Sequence, residues 1–333
     1  MTAVASQITY AWPISFDDGQ AARARIAPHL TPTPFREYPQ LAQLVGYDIR
    51  VYVKHENHQP TCSFKIRNGL SLMTALSAEE RRRGVVAAST GNHGQGIAYG
   101  AQLVGSSATI CVPAGNNPGK NGAMRALGAT VIEEGRDYDE SVQVMLRIAG
   151  AEGRVVAHST NDPRVVAGAA TMTLEILEQC PDLEALVIAT GGGSQAVGAM
   201  TVARALAPQL EVFGVQAAGA PAIHDSWHAR QRLTTARADT FAEGVATRTT
   251  YDLTFGALQD GLAGFVTVTD AEIAESLRTI LATTHNLVEG SGAMGFAALP
   301  KLADRLEGKK VGIVFCGGNI DMEMLERILR REI

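Results

Sequence analysis

Cysteine is scarce in this chain. Cys62, Cys111, Cys180 and Cys316 are spread over 333 positions, and no two stand in C-x-x-C spacing. That sparsity excludes a disulfide framework, and no Cys/His pair has the spacing of a structural zinc site. Reduced thiols in a cytoplasm are the expectation. Long apolar runs are missing as well. The longest, such as Ala185–Ala189 and Val311–Phe315, have strand length and are too short to span a bilayer. There is no basic excess: 29 Lys and Arg stand against 34 Asp and Glu, a net charge of −5. Nucleic acid and anionic membranes are therefore not expected partners. Met1-Thr2-Ala3-Val4-Ala5-Ser6-Gln7 carries no charged segment followed by an apolar core, so no signal peptide is read there.

What is present is an alternating pattern. The chain is 46% hydrophobic and 19% charged, the balance of a globular enzyme long enough for two lobes. From about residue 45, short β-branched runs alternate with Ala-rich helical runs. Val51–Val53, Val85–Ala88, Ala108–Val112, Thr130–Ile132, Val155–Ala157, Ala185–Ala189, Glu211–Val215 and Val311–Phe315 read as strands. Asn92–Leu103, Lys120–Leu127, Tyr138–Ala149, Val166–Gln179 and Gln195–Leu206 read as helices. The pattern predicts an α/β fold of two open, mostly parallel twisted sheets flanked by helices. In such sheets ligands bind outside the carboxyl ends of the strands.

Three strands run into polar or glycine-rich loops at that end. Thr190-Gly191-Gly192-Gly193-Ser194 opens a helix, so its N–H groups and the helix N-terminus suit a phosphate. Gly191-x-Gly193-x-x-Ala196 also fits the dinucleotide fingerprint, but the next strand ends in Gln216 rather than an acidic ribose ligand, which favours a single phosphate. Ser89-Thr90-Gly91-Asn92-His93 offers hydroxyls and N–H groups to a substrate carboxylate; the bland alternative is a plain helix cap. Phe315-Cys316-Gly317-Gly318-Asn319 places a thiol at a strand tip. Lys65 lies between Phe64 and Ile66, flanks that can exclude water. Burial lowers a lysine pKa from roughly 10.4 and frees an amine able to attack an aldehyde. A snorkelling surface lysine is the alternative reading.

Together these segments resemble a family. Gln59-Pro60-Thr61-Cys62-Ser63-Phe64-Lys65-Ile66-Arg67 is similar to the Q-P-T-G-S-F-K-x-R signature of fold type II pyridoxal phosphate (PLP) enzymes, the tryptophan synthase β group. Ser89–Gln95, Gly191–Ser194 and Cys316–Asn319 resemble the S-x-G-N-H-x-Q, tetraglycine and [S/C]-G-G-N segments of its threonine/serine dehydratase and serine racemase branch. Glu289-Gly290-Ser291-Gly292-Ala293 and Ala242-Glu243-Gly244 resemble two further motifs of the branch.

The resemblance implies a site between two lobes: a large cofactor-binding domain of residues 1–72 plus 161–333, and a small domain of residues 73–160. It implies that Lys65 binds the cofactor aldehyde and moves the α-proton. Phe64 packs near the ring, Asn92 meets its phenolic oxygen, and Cys316 faces the pyridine nitrogen. Gly191, Gly192, Gly193 and Ser194 hold the phosphate, and the Gly244 backbone approaches the cofactor. Ser89, Thr90, Gly91 and His93 line the substrate carboxylate pocket. The implied activity is dehydration and deamination of a β-hydroxy amino acid, of the threonine/serine or 3-hydroxyaspartate type, to a 2-oxo acid and ammonia. The alternative on the same scaffold is a serine or aspartate racemase, with Thr90 as second acid/base. A homodimer or homotetramer is implied as well.

The chain departs from the pattern at Cys62 and Asn68, which replace glycines, at Ser194 and at Gly290. The branch's divalent-cation ligands match Gln216, Ala220 and Ala222 here, so no metal site is expected. Arg136, His224 and Arg248 are candidates to bind a second substrate carboxylate.

Overall fold

The computed structural model describes residues 10–333. The segment read for a signal peptide, and the first nine residues of the 1–72 segment, lie outside the described residues. The strands are β1 (Phe35–Glu37), β2 (Arg50–Lys54), β3 (Val85–Ala88), β4 (Ala108–Val112), β5 (Thr130–Glu133), β6 (Val155–Val156), β7 (Ala185–Ala189), β8 (Glu211–Ala217), β9 (Gly264–Val268) and β10 (Lys310–Val314). They form a six-stranded sheet in the order β1-β2-β10-β7-β8-β9 and a four-stranded sheet in the order β5-β4-β3-β6. Only β1 is antiparallel to its neighbour. Eight strands coincide with the β-branched runs; β1 has no β-branched residue, and β9, which carries Val266, Thr267 and Val268, is not among the runs read from the sequence.

Alternation within each strand explains why both faces are covered. Leu186, Ile188 and Val212 point into one core of the large sheet; Val187, Phe213, Val215 and Ile313 point into the other. The small sheet likewise feeds two cores, Val85 and Ala87 into one and Val86 and Ala88 into the other. Strands buried on both faces need helices on both sides, the arrangement parallel crossovers produce. Each fully buried Val, Leu or Ile contributes roughly 1.5–3 kcal/mol.

Two features aim the site. The Lys65–Ala75 helix meets the Asn92–Val104 helix backbone to backbone. A Cβ on Gly69 would stand 2.2 Å from the Gly96 carbonyl oxygen, and one on Gly96 would stand 2.5 Å from the Lys65 oxygen. Glycine at both positions therefore sets the distance between Lys65 and the Ser89–His93 loop. Behind the lysine, Arg67 is fully buried. Its guanidinium forks onto Glu56 (Nε to Oε2 2.8 Å, Nη2 to Oε1 2.9 Å) and onto Glu175 (2.7 Å to each oxygen). Lys54 Nζ completes the cluster at 2.7 Å from Glu175. Two cations and two carboxylates thus lock the helix that begins at Lys65 to β2 and to the Pro163–Gln179 helix.

Candidate active site

The carboxyl ends of β3, β6, β7 and β10 open on one cavity of about 1290 Å³. Lys65, Ser89–His93, Gly191–Ser194, Gly244 and Cys316 all line it. Lys65 starts its helix with Nζ 3.4 Å from the Ser159 carbonyl oxygen and 5.1 Å from the centre of the Phe64 ring. Burial pulls its pKa down to about 8, against the opposing pull of Cys316 and Glu289. The segment before it is pinned to the end of β10: Phe64 N–H donates to the Cys316 oxygen at 2.9 Å, and Ser63 bridges Gly317. Cys62 holds a left-handed φ of +52°, the conformation for which the family signature uses glycine.

Gly191–Ser194 forms an anion cup. Gly193 has φ +92° and caps the Ser194–Leu206 helix, so the first N–H groups of that helix point outward without intrahelical acceptors. Its glycines tolerate no side chain. A Cβ on Gly192 would lie 2.0 Å from Thr160 Oγ1, and one on Gly191 would lie 2.6 Å from the Gly244 oxygen. Thr254 Oγ1 fixes the bend by donating to the Gly192 oxygen at 2.7 Å. Gly244 is equally confined, since a Cβ there would lie 2.8 Å from Ser291 Oγ.

On the opposite wall, Ser89 Oγ accepts the N–H groups of Gly91 (3.2 Å) and Gly94 (2.9 Å), so its oxygen shapes the loop. The Asn92 and His93 N–H groups, in the first helical turn, meet no acceptor among the described residues and are available to a carboxylate. The His93 ring turns away: Nε2 donates to the Ala157 oxygen at 2.9 Å. Burial and the Lys65 charge push its pKa down to about 3, so it is neutral and Nδ1 is an acceptor only. Any hydrogen bond from this residue to a carboxylate therefore comes from its backbone. Asn92 Nδ2 reaches both Glu289 oxygens (2.9 and 3.0 Å), and its Oδ1 accepts from Asn319 Nδ2 at 2.7 Å. Burial first, then the Glu289 carboxylate, push the Cys316 thiol up to about 12, so it remains protonated.

Of the candidate second-carboxylate residues, His224 lies outside the cavity lining. Arg136 pairs with Glu140, and Arg248 pairs with Asp139. Gln216 is buried, with Oε1 accepting the Ile223 and His224 N–H groups at 3.1 and 2.9 Å. Sequence reasoning missed Ser159 and Thr160, which belong to no recognised motif, and the bond from Glu289 to Asn92, which joins positions 197 apart.

A desolvated lysine facing an anion cup defines an α/β enzyme that handles a carbonyl compound bearing a phosphate. The comparisons give that class its family. The model of the family described as "Pyridoxal-phosphate dependent enzyme" matches residues 26–317, and the chain belongs to it. The chain is 40% identical over 291 residues to an L-threonine ammonia-lyase of Thermotoga maritima, covering 87% of this chain and 72% of that one. It is 34% identical to an L-threo-3-hydroxyaspartate ammonia-lyase of a Pseudomonas species, covering 84% and 88%. The structure of maize serine racemase superposes with a TM-score of 0.90 at 27% identity, covering 96% and 98%. The site fits pyridoxal phosphate: the cup is a cradle that any Cβ would fill, and the amine facing the cavity has a lowered pKa.

Proposed function

We propose that this protein is a PLP-dependent ammonia-lyase that removes the β-hydroxyl and the amino group of a β-hydroxy amino acid, leaving a 2-oxo acid and ammonia. The observation that carries this reading is a lysine amine with its pKa pulled down to about 8 in the same cavity as the glycine-built anion cup. The relatives that act on threonine and on 3-hydroxyaspartate support it. Threonine or serine is the default substrate class; Arg136 and Arg248 line the cavity in exposed pairs with Glu140 and Asp139, so a 3-hydroxyaspartate-type substrate stays within the reading.

In this reading Lys65 would hold the cofactor through Nζ, and Gly191–Ser194 would hold its phosphate. Phe64 would flank the ring, with the Gly244 backbone close by, and Asn92 would meet the phenolic oxygen once Glu289 yields its amide. Pyridoxal phosphate, when bound, supplies an electron sink conjugated to the substrate α-carbon. The chain's own residues do the rest. Ser89, Thr90, Gly91 and His93 orient the substrate carboxylate through the loop and its N–H groups. Lys65 Nζ, freed when the substrate amine takes its place on the cofactor, would accept the α-proton as a neutral amine. Cys316, whose thiol stays protonated, would sit at the pyridine nitrogen as a weak hydrogen-bonding partner that does not protonate it, which would favour elimination over transamination.

We further propose the division into residues 1–72 plus 161–333 and residues 73–160, supported by the two separate sheets. The four free cysteines support a cytoplasmic setting. Exposed Leu44 and Tyr47 support a homodimer or homotetramer. The second reading, racemisation, draws on Thr90, which lines the cavity. Incubation with L-threonine, L-serine and 3-hydroxyaspartate tests both readings. Formation of 2-oxo acid and ammonia supports the lyase. A D-amino acid product supports the racemase. No turnover of any of them by PLP-saturated protein refutes both.

A further inference from the structure

The turn at residues 157–161 carries no recognised motif, yet it touches three parts of the site. The Ala157 oxygen accepts from His93 Nε2 at 2.9 Å. The Ser159 oxygen accepts from Lys65 Nζ at 3.4 Å. Thr160 closes over Gly192, leaving no room for a Cβ there. At the centre of the turn, His158 Nδ1 accepts the N–H groups of both Thr160 and Asn161, each at 2.9 Å. Among the described residues no carbonyl accepts either N–H. Two donors on Nδ1 require a lone pair there, so the neutral ring carries its proton on Nε2. Tyr251 braces the ring edge-on, with centroids 5.7 Å apart.

We infer that His158 is the positioning residue of this active site: by gathering the Thr160 and Asn161 N–H groups on Nδ1 it holds one turn against the Lys65 amine and the glycine cup at once. The inference rests on the reading that Lys65 and the cup bind pyridoxal phosphate. It has a consequence for pH. A proton on Nδ1 would evict both N–H groups and release the turn. The charged groups facing the ring are Lys65, from its own helix, and Asp162, which caps the Pro163–Gln179 helix just after the turn; His93, from the Asn92 helix, is neutral. Burial and then Lys65 lower the His158 pKa, and Asp162 opposes them. The released turn thus binds the proton more tightly than the native one. Site integrity is complete above the ordinary imidazole value of about 6.5 and declines as pH falls below it.

The test is titration of the full-length apoprotein with pyridoxal phosphate between pH 5 and 8, for wild type, His158→Asn and His158→Leu. An asparagine Oδ1 can gather the same two N–H groups and does not titrate. His158→Asn is expected to bind within about threefold of wild type at pH 7, and His158→Leu at least about tenfold more weakly, since two backbone donors lose their acceptor. All three proteins share the titration of the cofactor phosphate and of Lys65. The expected signature is therefore a loss from pH 7 to pH 5 that is about tenfold larger for wild type than for His158→Asn. Nitrogen-15 NMR of the imidazole is expected to report the Nε2–H tautomer. Parallel pH slopes, an Nδ1–H tautomer, His158→Leu matching wild type, or His158→Asn as weak as His158→Leu despite an unchanged thermal midpoint would each overturn the inference. A wild-type protein that takes up no pyridoxal phosphate overturns the functional reading instead, and the tautomer still decides the geometry of the turn.

Discussion

Replacing Arg67 by methionine keeps the helix and much of the packing volume but removes the guanidinium that balances Glu56 and Glu175. Both carboxylates are almost completely buried, and Lys54 remains as the counter-charge in direct contact. Breaking a buried ion pair from one side costs about 3–5 kcal/mol, because the partner charge stays in a medium of low dielectric. At an unfolding entropy near 2.1 cal/mol/K per residue, the midpoint is expected to fall by about 4–7 °C. The pH dependence separates this cause from simple loss of packing. In the wild-type protein burial would raise the Glu56 pKa, but Arg67 holds it below the usual carboxylate value. That contribution is complete above the unfolded value of about 4.5 and is lost as pH falls through the folded one. In Arg67→Met the sign reverses. Glu56 prefers its proton, so the deficit relative to wild type shrinks between pH 7 and pH 5. Thermal unfolding followed by circular dichroism at pH 8, 7, 6 and 5 measures both effects. A midpoint within about 1 °C of wild type, or a deficit that stays constant or grows on acidification, refutes the reasoning.

Lys65→Ala is expected to abolish covalent capture of pyridoxal phosphate. In the wild-type apoprotein the capture rate should rise with pH and level off above the amine's pKa of about 8, as stopped-flow absorbance would report; a midpoint near the ordinary lysine value would contradict desolvation. Gly192→Ala forces a Cβ to 2.0 Å from Thr160 Oγ1 and should weaken cofactor binding at least about tenfold. Equilibrium dialysis checks this, and Thr160→Gly in the same protein should restore part of the affinity. Cys62→Gly relieves a left-handed backbone and should stabilise the fold by about 1 kcal/mol; an unchanged or lowered thermal midpoint argues against it.

Much of the fold was legible because parallel strands buried on both faces leave compact β-branched runs such as Ala185–Ala189, and crossovers leave helical runs between them. The parts of the site that lie at strand ends were legible for a local reason. The N–H cup at Gly191–Ser194 and the first helical turn after Ser89 are built by adjacent residues, so chemistry and spacing appear together in the sequence. Strand β1 has three residues and pairs only at the sheet edge, so its sequence need not be apolar, and no pattern betrays it. The same limit hides the residues that make the site work as one unit. Glu289 reads as part of a motif, but its grip on Asn92 depends on two helix starts far apart in the chain arriving at one point. His158 acts on its own backbone two and three residues ahead, a local interaction in principle. It is illegible because histidine is not among the residues whose side chains routinely organise turns. The glycine at 192 and the threonine at 160 explain each other only in space: one has no side chain because the other fills its place. The candidate site's motifs are thus local, whereas their alignment is tertiary. A variant can therefore keep every motif intact and still lose the site by changing Glu175, which holds Arg67, or His158.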